Sequence, residues 1–276
     1  MQLLRRVPGA RPLARRLRSS WANVRPLTAP RYVGGVPRVE GVWPNDRALQ
    51  EGASEVGRAA LSAEAAASVV AVLDKLTPVG DSASFHKFYR RAAAEPSAWR
   101  YADVLTTVWA ASAVVRPSSY LEIGVLRGRS VSVLGANSPN CAIYGFDLWH
   151  GEYTGIPSPG PDFVRGELTR AGHRGDVTLL PGDSRKTVPE FLREHPGLCF
   201  DVINVDGDHS LMGASIDLAN VLPRLKVGGV LVMDDLRWSS WLMRPWGQLV
   251  QRDGRFVTWE FLDEGFGVAA AVRVSE

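Results

Sequence analysis

From Pro117 onward, short apolar runs rich in β-branched residues alternate with stretches of helical period, the signature of strand and helix in turn. The pattern predicts strands over 120–123, 142–147, 177–181, 200–206, 230–234, 256–262 and 268–274. Helices fit the first five gaps, near 129–136, 162–171, 184–194, 211–222 and 239–251. Five strand–helix units followed by two strands joined at Asp263 to Gly267 imply an α/β fold. Its seven-stranded sheet is mostly parallel, with helices on both faces and a C-terminal antiparallel hairpin. Right-handed crossovers gather the loops that follow the parallel strands on one rim. Ahead of Pro117 the pattern is helical: SAEAAASVVAVLDKL over 62–76, then 98–115 with Leu105, Val108, Trp109 and Ala113 near three-four spacing. This gives a helical lead-in or cap over 39–98 before a main domain over 99–276.

The 276 residues, 45% hydrophobic and 22% charged, suffice for a well-buried core. Apolar runs such as 269–272 fall far short of the roughly 20 residues of a membrane span. Two cysteines, Cys141 and Cys199, without a CxxC pair or Cys/His cluster, argue against zinc ribbons and disulfide frameworks and for a reducing, cytoplasmic setting. The net charge of +3 hides an asymmetry, because nine of the 32 basic residues fall in the first 39 positions, which hold no acid. The rest of the chain is left with 23 basic and 29 acidic residues, a body at −6. The basic stretch over 1–38, interrupted by Pro8, Pro12, Pro26, Pro30 and Pro37, is expected to be a flexible arm. A solvated tail, a peripheral contact with an anionic membrane surface and a targeting peptide all fit it. No nucleic-acid partner is expected, and a homo-oligomer remains open.

At the end of the first strand stand Glu122, Ile123, Gly124, Val125, Leu126, Arg127, Gly128, Arg129 and Ser130. Gly124 lets the chain turn sharply, and Gly128 lets the next helix begin close to an anionic group that meets its free amides. The second strand ends in Asp147, where an acid can hold a ribose diol. The third ends in Pro181, Gly182, Asp183 and Ser184, which places another acceptor on the same rim. Helix capping explains Asp147 and Asp183 as an alternative. Further on come Asp206, Gly207, Asp208, His209 and Ser210, then Asp234 and Asp235, each group closing a strand. Converging carboxylates repel one another, and a hard divalent cation with oxygen ligands removes the conflict while leaving positions for substrate oxygens.

Together these motifs resemble the class I S-adenosylmethionine-dependent methyltransferases, with their Rossmann-like fold. That family's usual first motif carries a further glycine where this chain has Leu126, a spacing found in its small-molecule O-methyltransferase branch. The stretches DGDHS and GASIDLANVLPRLKVGGVLVMDD are similar to the metal-dependent macrolide-sugar O-methyltransferases and cephalosporin hydroxylase-like proteins, over roughly 118–236. The resemblance implies S-adenosylmethionine as cofactor, held by Glu122, Gly124, Gly128, Ser130, Asp147, Asp183 and Ser184. It also implies Mg2+ on Asp206, Asp234 and Asp235, His209 as general base, and a hydroxyl on a sugar-containing or polyketide-like small molecule as acceptor. The intervals of 28 residues from Asp206 to Asp234 and three from Asp206 to His209 also match catechol-type O-methyltransferases, where a lysine takes the place of His209.

Other readings stay in competition. The transfer is metal-independent if the acids serve only as hydrogen-bond acceptors, and the chain is a nucleoside-binding scaffold docked through its arm if it has no turnover. Asp208 is either a ligand or a helix cap. Trp149 fits adenine stacking or core packing, His150 is within possible reach of the site, and Trp238, Trp241 and Trp246 fit an acceptor wall or a buried helix face. The Gly/Pro-rich loop over 151–162 is expected to be a mobile cover. His86, His173 and His195 are expected at the surface, and Asp217 in solvent.

Overall fold

The computed structural model describes residues 35–78, 82–94, 100–150, 152–153 and 156–276. The basic arm up to residue 34 lies outside the described residues, as do parts of the expected cover, of which a two-residue antiparallel ribbon, Glu152–Tyr153 with Ile156–Pro157, is described.

Four helices come first: α1 (Asp46–Ala60), α2 (Ala63–Leu73), α3 (Ser82–Ala94) and α4 (Val104–Val115). Side chains at the entrances satisfy free amides that a helix cannot pair internally. Asn45 caps α1 and Ser62 caps α2, while Asp103 and Thr106 form a capping box on α4. Strands and helices then alternate as β1 (Ser119–Ile123), α5 (Arg129–Asn137), β2 (Ala142–Asp147), α6 (Pro161–Ala171), β3 (Val177–Pro181), α7 (Ser184–Glu194), β4 (Phe200–Val205), α8 (Leu211–Val221) and β5 (Leu225–Met233). The chain closes with α9 (Met243–Trp246), β6 (Phe256–Phe261) and β7 (Val268–Arg273).

The seven strands form one sheet in the order β3-β2-β1-β4-β5-β7-β6. The first five are parallel and the last two antiparallel. The order reverses between β1 and β4, which opens a crevice at their C-terminal ends where α/β sheets bind ligands.

Strand residues alternate between two cores because the sheet is covered on both faces. Tyr120, Val202, Val230 and Val232 face the side of α1, α2, α4 and α5, whereas Leu121, Ile203, Leu231 and Met233 face α7 and α8. Leu49, Ala53 and Val56 of α1 belong to the first of these cores. The helical lead-in thus packs into the sheet's own core.

Three elements depart from the expectation, the first being the helix expected over 98–115, which begins at Val104 behind its Asp103 cap. Strand β5 begins at Leu225 rather than 230, running through Gly228 and Gly229, and its pairing with β4 jumps from Phe200↔Leu225 to Val202↔Val230. Gly228 (φ +84°) absorbs the irregularity, and its carbonyl accepts from Trp43 Nε1 at 2.9 Å. The helix expected over 239–251 splits into a 3-10 turn, one α turn and a π turn around Pro245, which removes a backbone donor.

Before α1, the chain pairs with the start of β5. Val39 N donates to Val227 O at 2.8 Å and Val227 N to Pro37 O at 2.9 Å, with Val36 and Val39 buried. This anchor lies near the end of β5 remote from Asp234. A chain shortened to begin at residue 35 is expected to melt as the full chain does. One beginning at residue 40 loses two buried valines and should be destabilised by roughly 3 kcal/mol in denaturant unfolding. Equal stability of the two shortened chains would refute the anchoring role.

Candidate active site

A cavity of about 570 Å³ opens at the C-terminal ends of β1, β2, β4 and β5. Gly124 sits where β1 leaves the sheet, with φ +94°, and a Cβ there would collide with the Asp206 carbonyl oxygen. Two hydrogen bonds of 2.8 Å hold the loops in place, from Gly124 N to Phe146 O and from Asp206 N to Ile123 O. Leu126 has φ +48°, in the left-handed region that favours glycine, and it occupies the position where the methyltransferase motif usually has one. The conformation thus persists although the residue differs. Asp147 helps to hold it, since its two carboxylate oxygens accept from Leu126 N at 2.8 Å and Trp149 N at 2.7 Å. Trp149 closes the clasp through Nε1 to Leu126 O at 2.9 Å.

The expected cofactor residues divide into three groups. Gly124, Ser130, Asp147 and Ser184 line the cavity. Asp183 lines it too, but it also caps α7 and pairs with Arg185 at 2.8 Å, which holds its carboxyl below the usual range. Glu122 and Gly128 are not on the cavity wall: Gly128 (φ +78°) turns the chain into α5, and Glu122 is buried beneath the loop. Glu122 accepts from Tyr120 Oη at 2.5 Å and from the Ser130 hydroxyl. Burial raises its carboxyl to about 8, against the lowering effect of the Ser130 and Tyr120 hydrogen bonds. Its role visible here is to fasten α5 to β1, with the Ser130 proton committed to it.

The acids expected to hold a metal converge. Ligand atoms of Asp206, His209 and Asp235 lie within 4.8 Å of one another. His209 stands between the carboxylates, with Nδ1 at 3.0 Å from Asp235 and Nε2 at 3.4 Å from Asp206. Burial pulls this imidazole down, but the hydrogen bond with Asp206 and the charges of Asp235, Asp206 and Asp208 outweigh it and lift it to about 9. Asp235 has φ +64°, a conformation Asp tolerates better than most residues, and burial with the charge of Asp206 raises its carboxyl to about 6. Asp234 lines the same cavity outside that trio. It is buried, with Oδ1 lacking any hydrogen-bond partner, and burial together with Asp206 and Asp235 holds its carboxyl well above the carboxylate range. Asp208 also lines the cavity, and its Oδ1 accepts from Ser210 N at 2.8 Å, at the start of α8.

The acids fit a divalent cation: Asp206, Asp234 and Asp235 offer carboxylate oxygens, and one buried oxygen, Asp234 Oδ1, lacks a partner. Sequence reasoning missed Asp103, which lines the cavity while capping α4 and accepting from the Tyr89 hydroxyl. Its DVLT box was the available signal. Arg127, Arg129 and Phe266 also line the cavity. Asp217, expected in solvent, is fully buried on α8; burial lifts it to about 6, partly offset by Ser184 and the Asp208 amide. His173, expected at the surface, is buried against Gly135. His150 lines the cavity mouth.

Two outcomes test this geometry. Gly124→Ala, which forces β1 and β4 apart at the crevice, is expected to abolish binding of S-adenosylhomocysteine, whereas Leu126→Gly retains it; calorimetry that finds Gly124→Ala binding normally would refute the close approach. The second concerns Glu122, whose carboxyl is raised from 4.5 unfolded to about 8 folded. The folded state then binds the proton more tightly, so stability is highest below the unfolded value and falls as pH rises toward the folded one. Glu122→Gln removes this loss, and its stability relative to the natural chain should climb by a few kcal/mol, on the order expected from the shift, between pH 5 and about 8. Parallel melting curves across that window would contradict it.

No curated protein matches the chain in sequence. Residues 121–236 match a family described as a methyltransferase domain. Among solved structures, CalS11, a calicheamicin methyltransferase, is 18% identical over 76% of this chain and 91% of its own, with a TM-score of 0.51. Its apo form, described as a TDP-rhamnose 3'-O-methyltransferase, is 19% identical over 76% of this chain and 93% of its own, with a TM-score of 0.50. Cofactor-bound Rv0187 from MTB is 17% identical over 77% and 91%, again with a TM-score of 0.50. The family match covers β1 to the end of β5 and the loops between them, and the sheet order and these solved structures agree on the fold, that of the class I S-adenosylmethionine-dependent methyltransferases.

Proposed function

We propose that the protein is a magnesium-dependent O-methyltransferase that moves a methyl group from S-adenosylmethionine to a hydroxyl of a small molecule, of the sugar-containing or polyketide-like class. The observation that carries this reading is the convergence of Asp206, Asp235 and His209, with Asp234 beside them, on the cavity that the Gly124 loop also lines. The sugar class rests on the sequence resemblance, in line with the rhamnose acceptor named for CalS11.

When bound, S-adenosylmethionine supplies an electrophilic methyl group and the cation supplies Lewis acidity that lowers the acceptor hydroxyl's pKa. Asp206, Asp234 and Asp235 would hold the cation. The chain's own contribution is to orient and to move a proton. His209 is the proposed base, working from its neutral form. Between two carboxylates its proton is held up to about pH 9, so the neutral form gains ground at neutral pH wherever other positive charge shares those carboxylates. Asp147 and Trp149 keep the loop after β1 held against the β2 end, where it would meet the cofactor.

The metal-independent reading has one observation of its own: protonated His209 already balances part of the charge of Asp206 and Asp235. Methyl transfer from labelled S-adenosylmethionine to a panel of glycosides, with and without magnesium, separates the two. Turnover is expected to fall to background after chelation and to return with magnesium, and chelator-insensitive turnover would support the metal-independent reading. His209→Ala should lower turnover by roughly 10² to 10⁴-fold with S-adenosylhomocysteine affinity unchanged. Near-full activity of that variant would reject the base assignment.

A further inference from the structure

Large apolar side chains left in water are costly when they cluster, and their distribution marks where a surface expects a ligand. Five are exposed among the described residues: Phe88, Leu148, Met212, Trp238 and Trp241. One of them lines the cavity and three others neighbour residues that do. Leu148 lines its wall, and Met212 stands in the first turn of α8, just after His209 and Ser210. Trp241 is 47% exposed, yet it is held in place, because Nε1 donates to the His209 carbonyl at 2.7 Å. Trp238, 56% exposed, meets Phe266 edge-on with ring centroids 5.6 Å apart, and Phe266 lines the cavity with Asp234 and Asp235. Trp246, by contrast, is fully buried and donates to Glu260, so it belongs to the core.

Two indoles fixed at the rim, one tied to the proposed base and the other to a cavity wall, differ from solvent-facing residues with free rotamers. Fixing them in advance lowers the entropy lost when something stacks on them. The acids beside them call for hydroxyl groups, and the indole faces call for a flat apolar ring.

Resting on the methyl-transfer reading above, we propose that the acceptor is amphiphilic: its hydroxyl-bearing part enters among Asp206, Asp235 and His209, and an aromatic ring attached to it lies on Trp238 and Trp241. The two tryptophans then select the acceptor. Trp241 is in addition a positioning residue, steadying His209 through its backbone.

The test titrates protein saturated with S-adenosylhomocysteine and magnesium with the phenyl and methyl glycosides of one sugar by calorimetry, and follows methyl transfer to both. The natural chain is expected to bind the phenyl glycoside about tenfold tighter, the range of one good aromatic stack. Trp238→Ala should erase that preference with melting temperature and S-adenosylhomocysteine affinity retained. Trp241→Phe, which keeps a ring face but loses the N–H donor, should keep most of the preference and lower turnover at saturating acceptor. Equal affinity of the natural chain for the two glycosides, or a preference that survives Trp238→Ala, would overturn the proposal. Calorimetry decides this without turnover: a phenyl preference with no methyl transfer would count against the methyl-transfer reading and leave the aromatic platform standing.

Discussion

The site depends on one backbone approach, that of Gly124 to the carbonyl of Asp206. Strands β1 and β4 are parallel neighbours on either side of the reversal in strand order, so the loops that leave them must pass each other at the crevice. With no side chain at 124 the two loops share a wall. The turn through Leu126 and Gly128 and the acids beginning at Asp206 then face one cavity. A single methyl group at that contact would separate the loops by pushing on two main chains, neither of which can give as a side chain does.

Charge is the second constraint, and the fold brings four carboxyls to one cavity together with Arg127, Arg129 and His209. Asp103, Asp206, Asp234 and Asp235 surround one end of the cavity, and burial raises the carboxyls of Asp103, Asp234 and Asp235. Buried carboxylates cost stability unless paired, so a core selected for stability alone would replace them. Contrast Asp201 at the opposite end of β4, which accepts from Ser118, Ser119 and Lys226 and whose carboxyl is lowered despite burial. Asp201 is fully satisfied, whereas Asp234 at the other end of the sheet is left with an unpartnered oxygen, as is Asp217 on α8 nearby. That difference between the two ends of one sheet favours a ligand-binding role for the upper cluster and underlies the proposed cation.

Much of this was legible in the sequence because strands buried on both faces read as continuous apolar runs between turn signals. The bounds of β2, β3 and α7 agree with the expectation residue for residue. The sequence pattern failed where glycine has two meanings. The expected strand starts only after Gly228 and Gly229, yet they lie inside β5 at an irregularity braced by Trp43. Asp217 read as solvated because it is charged, although Ala214 three residues before and Val221 four after place it on the buried face of α8. Periodicity carried the better information there. The converging acids were legible from their positions at strand ends, but the arrangement of His209 between two of them was not, because it depends on loop conformation. At Glu122, a position expected at the cofactor from its motif, the structure shows a carboxyl joining α5 to β1 beneath the loop.

The acid rim and the aromatic rim are also joined through the backbone. After Asp235 turns through its left-handed conformation, Leu236 N donates to Gly267 O at 3.0 Å, and Arg237 N and Trp238 N both donate to Phe266 O at 2.8 Å. Gly267 lies so close to Arg237 that a Cβ would not fit. The loop bearing Asp235 and Trp238 is thereby stitched to the hairpin turn bearing Phe266, and the two move as one body. If Trp238 and Trp241 select the acceptor as proposed, its preference can change through those two side chains. Changes to the loop backbone would displace Asp235 from His209 and lose the chemistry along with the old specificity. Selectivity and reactivity thus share a frame but reside in different side chains, which lets one vary while the other is held.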